Sequence, residues 1–144
     1  LACALVGMNI SIACPQTKEF LPSFDILRQA KRLAQKTKMK IMITRNPHEA
    51  VKNAEIIYTD SWMSYHAPPS QKKHRIKMLK PYQVNGSLMK RAKKNAIFMH
   101  CLPAERGREV TKEVIDGKHS VVFDQAENRL HSEKAILLFF MKKH

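Results

Sequence analysis

Ala96-Ile97-Phe98-Met99-His100-Cys101-Leu102-Pro103-Ala104-Glu105-Arg106-Gly107 decides how this chain is read. Four apolar residues run directly into an imidazole, a thiol and a proline that fixes the backbone as it leaves the run. That is the profile of a buried strand ending at a ligand edge, because α/β proteins bind ligands outside the carboxyl ends of their strands. A second run opens in the same way: Glu55 to Thr59 leads into Asp60-Ser61-Trp62-Met63-Ser64. A third, Ser120 to Phe123, leads into Asp124-Gln125-Ala126-Glu127-Asn128-Arg129-Leu130-His131.

Working outward, Met8 to Cys14 alternates, is rich in Ile and is closed by Pro15, which predicts a strand. Ser23 is placed to cap a helix, with Asp25 in its first turn and Ile26, Leu27, Ala30, Leu33 and Ala34 at helical spacing. Met39 to Thr44 predicts a second strand. Asn46-Pro47 reads as an N-cap followed by proline at the first helical position, opening a helix over His48 to Ala54. Ser61 to Lys80 reads as a long loop with one helical turn. Helices follow at Gly86 to Lys93 and Glu109 to Ile115, the latter ended by Gly117. The last helix opens at Asp124 and carries Ala126, Leu130, Leu137 and Met141 as its buried stripe. Strands alternating with helices predict an α/β fold, Rossmann-like, with a mostly parallel sheet and helices on both faces. No G-x-G-x-x-G follows a strand, which argues against a dinucleotide.

The chain has 144 residues, 44% of them hydrophobic and 26% charged, which suits one domain with a real core. No apolar run approaches the ~20 residues that span a bilayer. The three cysteines, Cys3, Cys14 and Cys101, stand at no metal spacing. They predict a reducing, cytoplasmic setting, no disulfide framework and no metal. The formal charge of +14 (26 Lys+Arg against 12 Asp+Glu) is concentrated in Lys72-Lys73-His74-Arg75-Ile76-Lys77 and Lys90-Arg91-Ala92-Lys93-Lys94. It favours anions in general. No nucleic-acid motif accompanies it, and a solvated lysine-rich surface is the simpler reading.

Three strand ends thus collect polar groups: Asp60 with Ser64, His100 with Cys101, and Asp124 leading to Arg129. A parallel sheet brings all its carboxyl ends to one edge, so the three can converge. Asp60 suits a cationic amine, and the Ser64 hydroxyl with backbone N–H groups suits a carboxylate. A rigidly held Leu102 carbonyl suits an ammonium group. Arg129 offers a fork for a phosphate or carbamoyl oxygen, with Glu127 placed to hold it; a surface pair with Glu133 is the alternative. Trp62, the only tryptophan, reads equally as packing.

In this order, the three segments resemble the ornithine-binding half of the aspartate/ornithine carbamoyltransferase family, over a stretch from Leu5-Val6-Gly7-Met8 to the last helix. His100-Cys101-Leu102-Pro103 is the most specific part. Relatives that use aspartate carry proline where Cys101 stands, so the resemblance points to an amine such as ornithine. It implies transfer of a carbamoyl group from carbamoyl phosphate, giving citrulline and phosphate without cofactor or metal. It further implies that Asp60 holds the substrate amino group, that Ser64 and the Tyr65 backbone bind its carboxylate, and that Cys101 and the Leu102 carbonyl face the attacking nitrogen. His100 and Arg129 would lie near carbamoyl phosphate. Two departures qualify the match. Ser64-Tyr65-His66-Ala67-Pro68-Pro69 replaces the usual Ser-Met-Gly, which leaves putrescine or acetylornithine open as the amine. The N-terminal carbamoyl-phosphate-binding domain and the first strand of the second domain are absent, so residues 1–144 read as a partial ornithine-binding domain. A fragment of a longer enzyme, a split subunit or a decayed product is expected, inactive alone, with full enzymes being trimers. A non-catalytic binding or interaction module from the same family is the competing reading. That first strand is usually interior to the sheet, so its neighbours are expected to show bare edges.

Overall fold

The computed structural model describes residues 1–63 and 68–142. Strand β1 (Ile10–Ala13) pairs in parallel with β2 (Ile41–Thr44), and β3 (Ile56–Thr59) pairs in parallel with β4 (Ile97–His100). Each pair is joined by a long crossover, as parallel pairing requires. The parallel α/β class is therefore as expected, but the single sheet is not: two separate two-stranded sheets form, β1-β2 and β3-β4.

Local chemistry explains the helices that were foreseen. Ser23 Oγ accepts from the Ile26 N–H at the start of α2 (Phe24–Thr37), after α1 (Ala2–Val6), and Lys38 ends α2 at φ 59°. Asn46 caps α3 (Pro47–Ala50) through the His48 N–H, with Pro47 at its first turn. Several boundaries are shorter than the sequence suggested. In place of a loop with one helical turn, α4 (Lys72–Leu79) makes two turns after a 3-10 turn at Pro69–Gln71. Lys72-Lys73-His74-Arg75-Ile76-Lys77-Met78-Leu79 has helix-forming residues but no apolar period, so periodicity alone missed it. α5 (Gly86–Met89), capped by Asn85, is only one turn. α6 (Lys112–Ile115) starts late because Val84 donates to the Glu109 carbonyl at 2.9 Å and Thr111 donates to the Val84 carbonyl, which holds Glu109 and Val110 extended.

The expected fifth strand, Ser120 to Phe123, is a correction. Only a single parallel bridge forms there, Phe98 with Ser120, through Phe98 N–H to His119 O and Val121 N–H to Phe98 O. The chain then turns into α7 (Val122–Met141). Val121 and Val122 look like strand residues, but Val122 is buried by the helix it begins. The stripe Ala126, Leu130, Leu137 and Met141 is a second correction: all four are exposed. Among the described residues the helix packs chiefly near its start, where it meets β4.

The main core gathers Phe98, Val110, Val114, Ile115 and Val122 with Val51, Ile57, Val84 and Leu88 around β3 and β4. A smaller cluster, Ala4, Ala30 and Met39, joins α1 to α2 beside β1 and β2. Thr37 Oγ1 ties them by donating to the Ala4 carbonyl at 3.1 Å. Among the described residues no helix is long and apolar enough to cross a membrane.

Candidate functional site

Because β3 and β4 are parallel and in register, Thr59 lies opposite His100, and the residues just beyond them meet. Cys101 Sγ donates to Asp60 Oδ1 at 2.9 Å. The same Asp60 oxygen accepts the Ser61 N–H at 2.7 Å, which fixes the carboxylate at the strand end. Burial, and then the hydrogen bond and charge of Asp60, push the Cys101 thiol above its usual range. It is a protonated donor at neutral pH, not a thiolate. Burial likewise raises the neighbouring Tyr58 phenol.

The next two residues form a rigid turn. Leu102 is left-handed at φ 56°, an uncommon conformation for a residue with a branched side chain. Its N–H donates to His100 Nδ1 at 2.8 Å. The His100 ring is fully buried, and its Nε2 lies 3.6 Å from Oε1 of an equally buried Glu109. Glu109 Oε1 also accepts the Glu105 N–H. The backbone after β4 is therefore clamped from within by an imidazole and a carboxylate. His100 sits beneath the site and shapes the turn; its ring does not reach the open side.

α7 closes the third side. Gln125 Oε1 accepts the His100 N–H at 3.1 Å, and Gln125 Nε2 donates to the Tyr58 hydroxyl at 3.4 Å. Arg129 follows Gln125 by four residues and so shares its helix face one turn further out. Its guanidinium is 69% exposed and makes only a 3.9 Å contact with Glu133. Glu127 does not hold it; that carboxylate faces His131 at 4.0 Å. Trp62 is buried packing, as one of its two readings held, and its carbonyl accepts from Arg75. Ser64 and Tyr65 lie outside the described residues.

Asp60, Cys101 and Leu102 are thus brought together, Arg129 stays exposed on the adjoining helix against Glu133, and His100 is withdrawn into the interior. Sequence reading missed Glu109, Gln125 and Tyr58. An acidic residue directly before the apolar Val110 was the one available signal for Glu109. The i,i+4 spacing to Arg129 was the signal for Gln125. Chemically, the arrangement offers a carboxylate and a carbonyl-bearing turn to a basic nitrogen, with an exposed cation on the adjoining helix. Among the described residues no cluster of three His, Cys, Asp or Glu side chains could hold a metal.

Comparison with known proteins shows the family. Residues 1–140 match the model of the aspartate/ornithine carbamoyltransferase, Asp/Orn binding domain. The chain is 49% identical to the ornithine carbamoyltransferase of Methanobrevibacter smithii, over 99% of this chain and 46% of that protein. It is 51% identical to that of Picrophilus torridus, over 95% and 44%. The crystal structure of ornithine carbamoyltransferase from Gloeobacter violaceus superposes with a TM-score of 0.87 at 41% identity, covering 99% of this chain and 46% of that one. The chain therefore spans about half the length of the curated relatives it matches. It belongs to the aspartate/ornithine carbamoyltransferase family, through the Asp/Orn-binding domain.

Proposed function

We propose that this chain is the amine-binding half of an ornithine carbamoyltransferase, completed by a carbamoyl-phosphate-binding partner. The observation that carries this reading is the 2.9 Å contact between Cys101 and Asp60 across the ends of β3 and β4. It sets a carboxylate and a neutral thiol around one small volume, beside the Leu102 carbonyl. An amine entering there meets a carboxylate, a carbonyl and one sulfur.

In the reaction, the neutral side-chain nitrogen of ornithine attacks the carbamoyl carbon of carbamoyl phosphate. The C–N bond forms, the C–O bond to phosphate breaks, and phosphate leaves with the electron pair. The amine proton passes to the leaving phosphate or to solvent. No atom changes oxidation state, so the step calls for no redox cofactor. The demands on the protein are orientation and stabilisation of developing negative charge. Asp60, Cys101 and the Leu102 carbonyl orient the amine, while Ser64 and the Tyr65 backbone receive the substrate carboxylate. Arg129 supplies positive charge towards carbamoyl phosphate. His100 acts from below by holding the Leu102 turn. The three cysteines are free thiols, which suits a cytoplasmic protein.

The test is complementation. This chain is mixed with the part of the Methanobrevibacter smithii enzyme that lies outside its matched 142 residues, and citrulline is measured from ornithine and carbamoyl phosphate. Turnover by the mixture and none by the chain alone is the expected result. Loss of that turnover in Asp60→Ala and Cys101→Ala supports the residue roles. A stable complex that makes no citrulline overturns the proposal and leaves a binding module.

A further inference from the structure

The carboxyl ends of β3 and β4 form the amine site, whereas the amino ends of the same strands collect cations. Lys52 stands before β3, Lys90, Arg91, Lys93 and Lys94 before β4, and Lys118 before the Phe98–Ser120 bridge; all six are exposed. Glu55 is the one carboxylate in residues 52–55, 90–96 and 118–120. Hydrogen bonds bring the three segments together. Lys93 donates its N–H to the Ala54 carbonyl at 3.0 Å, and Phe98 donates to the His119 carbonyl at 2.8 Å.

At this edge lies a hollow of about 380 Å³. Lys90, Lys93, Lys94 and the half-buried His119 supply its polar groups. Met89, Ala92 and the buried Ala96 supply an apolar surface. Two turns fix this wall: Ala92 N–H donates to the Met89 carbonyl at 3.1 Å, and Ala96 N–H to the Lys93 carbonyl at 2.9 Å. Lys93 is held by Glu55 at 2.8 Å, and Lys90 and Lys94 form no ion pair among the described residues. The volume and the mixture, an apolar lining with a few placed polar groups, are those of a small-molecule site.

A bare anion in this hollow uses the lysines and leaves the alanine and methionine surface in water. A neutral apolar compound covers that surface and leaves the cations uncompensated. A ligand that satisfies both carries phosphate at one end and a flat, weakly polar body at the other. We propose that the hollow binds an organic phosphate of this kind. Lys90 and Lys94 hold the phosphate oxygens as point charges. The flat body lies over Ala92 and Ala96 beside the His119 ring, and Lys93 stays with Glu55 and stiffens the rim. The other cations of this edge raise the local concentration of anions. The site is separate from the amine site: Ala96 and Cys101 bracket β4, about 16 Å apart at ~3.3 Å per residue. An occupant therefore leaves Asp60 and Cys101 untouched.

The probes are ADP, pyrophosphate and adenosine, titrated into this chain by calorimetry at low salt. ADP supplies phosphate and ring, pyrophosphate the charge alone, adenosine the ring alone. ADP is expected to bind 1:1, at least tenfold tighter than either of the others, and to weaken as salt screens the exposed lysines. Acetylation by acetic anhydride, read by mass spectrometry, is expected to slow at Lys90 and Lys94 when ADP is present. Lys90→Gln with Lys94→Gln is expected to weaken ADP at least tenfold. Lys31→Gln with Arg32→Gln removes the same charge from the exposed face of α2 and is expected to leave it unchanged. Far-UV circular dichroism checks that both variants fold. Equal losses in the two variants overturn the proposal, because bulk charge then suffices. Pyrophosphate as tight as ADP overturns it too, as does ADP binding that leaves Lys90 and Lys94 unprotected, or no binding of ADP. None of these readouts involves citrulline, so the proposal stands or falls apart from the transferase reading.

Discussion

Glu109→Ala is the substitution expected to damage the protein most for its size. The Glu109 side chain has no solvent exposure, and it is the acceptor for the Glu105 N–H and the acidic neighbour of His100 Nε2. Alanine leaves that N–H without a partner, which costs about 1–3 kcal/mol. It also leaves a void and deprives the imidazole of its counterpart, and breaking a buried pair of this kind costs roughly 3–5 kcal/mol in total. Relief of the desolvated carboxylate offsets part of this, so about 3 kcal/mol is the working value. Glu109→Gln keeps an oxygen for the Glu105 N–H and fills the space, and is expected to cost about 1 kcal/mol. With a urea slope of about 2 kcal/mol/M, the midpoint falls by roughly 1.5 M for alanine and 0.5 M for glutamine. The damage also reaches the site. A freed imidazole releases the Leu102 N–H, Leu102 relaxes from its left-handed conformation, and Cys101 drifts from Asp60. Cys101 is then alkylated faster by iodoacetamide in the alanine variant than in the glutamine variant. Equal urea midpoints for wild type and Glu109→Ala would refute the reasoning. So would a glutamine variant as damaged as alanine.

Four further outcomes follow from the same contacts. Asp60→Asn removes the charge that helps raise the Cys101 thiol, so alkylation at pH 7.5 becomes several-fold faster, read by mass spectrometry of the Cys101 peptide. Because the folded thiol titrates above the unfolded one, its contribution to stability is fully present below the ordinary thiol range, about pH 8.5, and is lost as pH rises through the folded value; thermal unfolding from pH 7 to 10 should decline less steeply in Cys101→Ser. Phe98→Ala, at a fully buried position, costs about 3–5 kcal/mol in urea unfolding, whereas Phe139→Ala, on the exposed end of α7, stays within about 0.5 kcal/mol. Asn85→Ala removes the side-chain acceptor for the Leu88 N–H and costs about 1 kcal/mol by the same measurement.

The fold was legible where local chemistry and tertiary packing asked for the same thing. Asn46-Pro47 and Ser23 announced their helices because a cap is a contact between residues two or three apart. Asp60 and Cys101 were legible as strand ends, and parallel pairing then forced them together. Glu109 was not legible, because its partners are a ring nine residues away and a backbone N–H exposed only by the turn between them. The α7 stripe failed for a different reason. Ala126, Leu130, Leu137 and Met141 do share the spacing of a helix face, but periodicity says where a face is and not what lies against it. The isolated Phe98–Ser120 bridge shows the reverse case: β-branched residues suited to a strand are used for one rung and then spent on starting a helix.

The two halves of the site differ in what holds them. Asp60, Cys101, Leu102, His100 and Gln125 are tied to one another by hydrogen bonds that stay within β3, β4 and the start of α7. Their geometry therefore depends on a sheet whose core includes Phe98, Val110 and Ile115, and not on β1. Arg75 is the exception, because it joins the Trp62 side to the Glu19 side at the strand ends, with its guanidinium 5.1 Å from the Phe20 ring. A movement of β1 relative to β3 therefore reaches the strand-end cluster through that arginine. The Asp60–Cys101 contact is consequently fixed by β3, β4 and the start of α7, while the edge facing β1 is tied to it through Arg75.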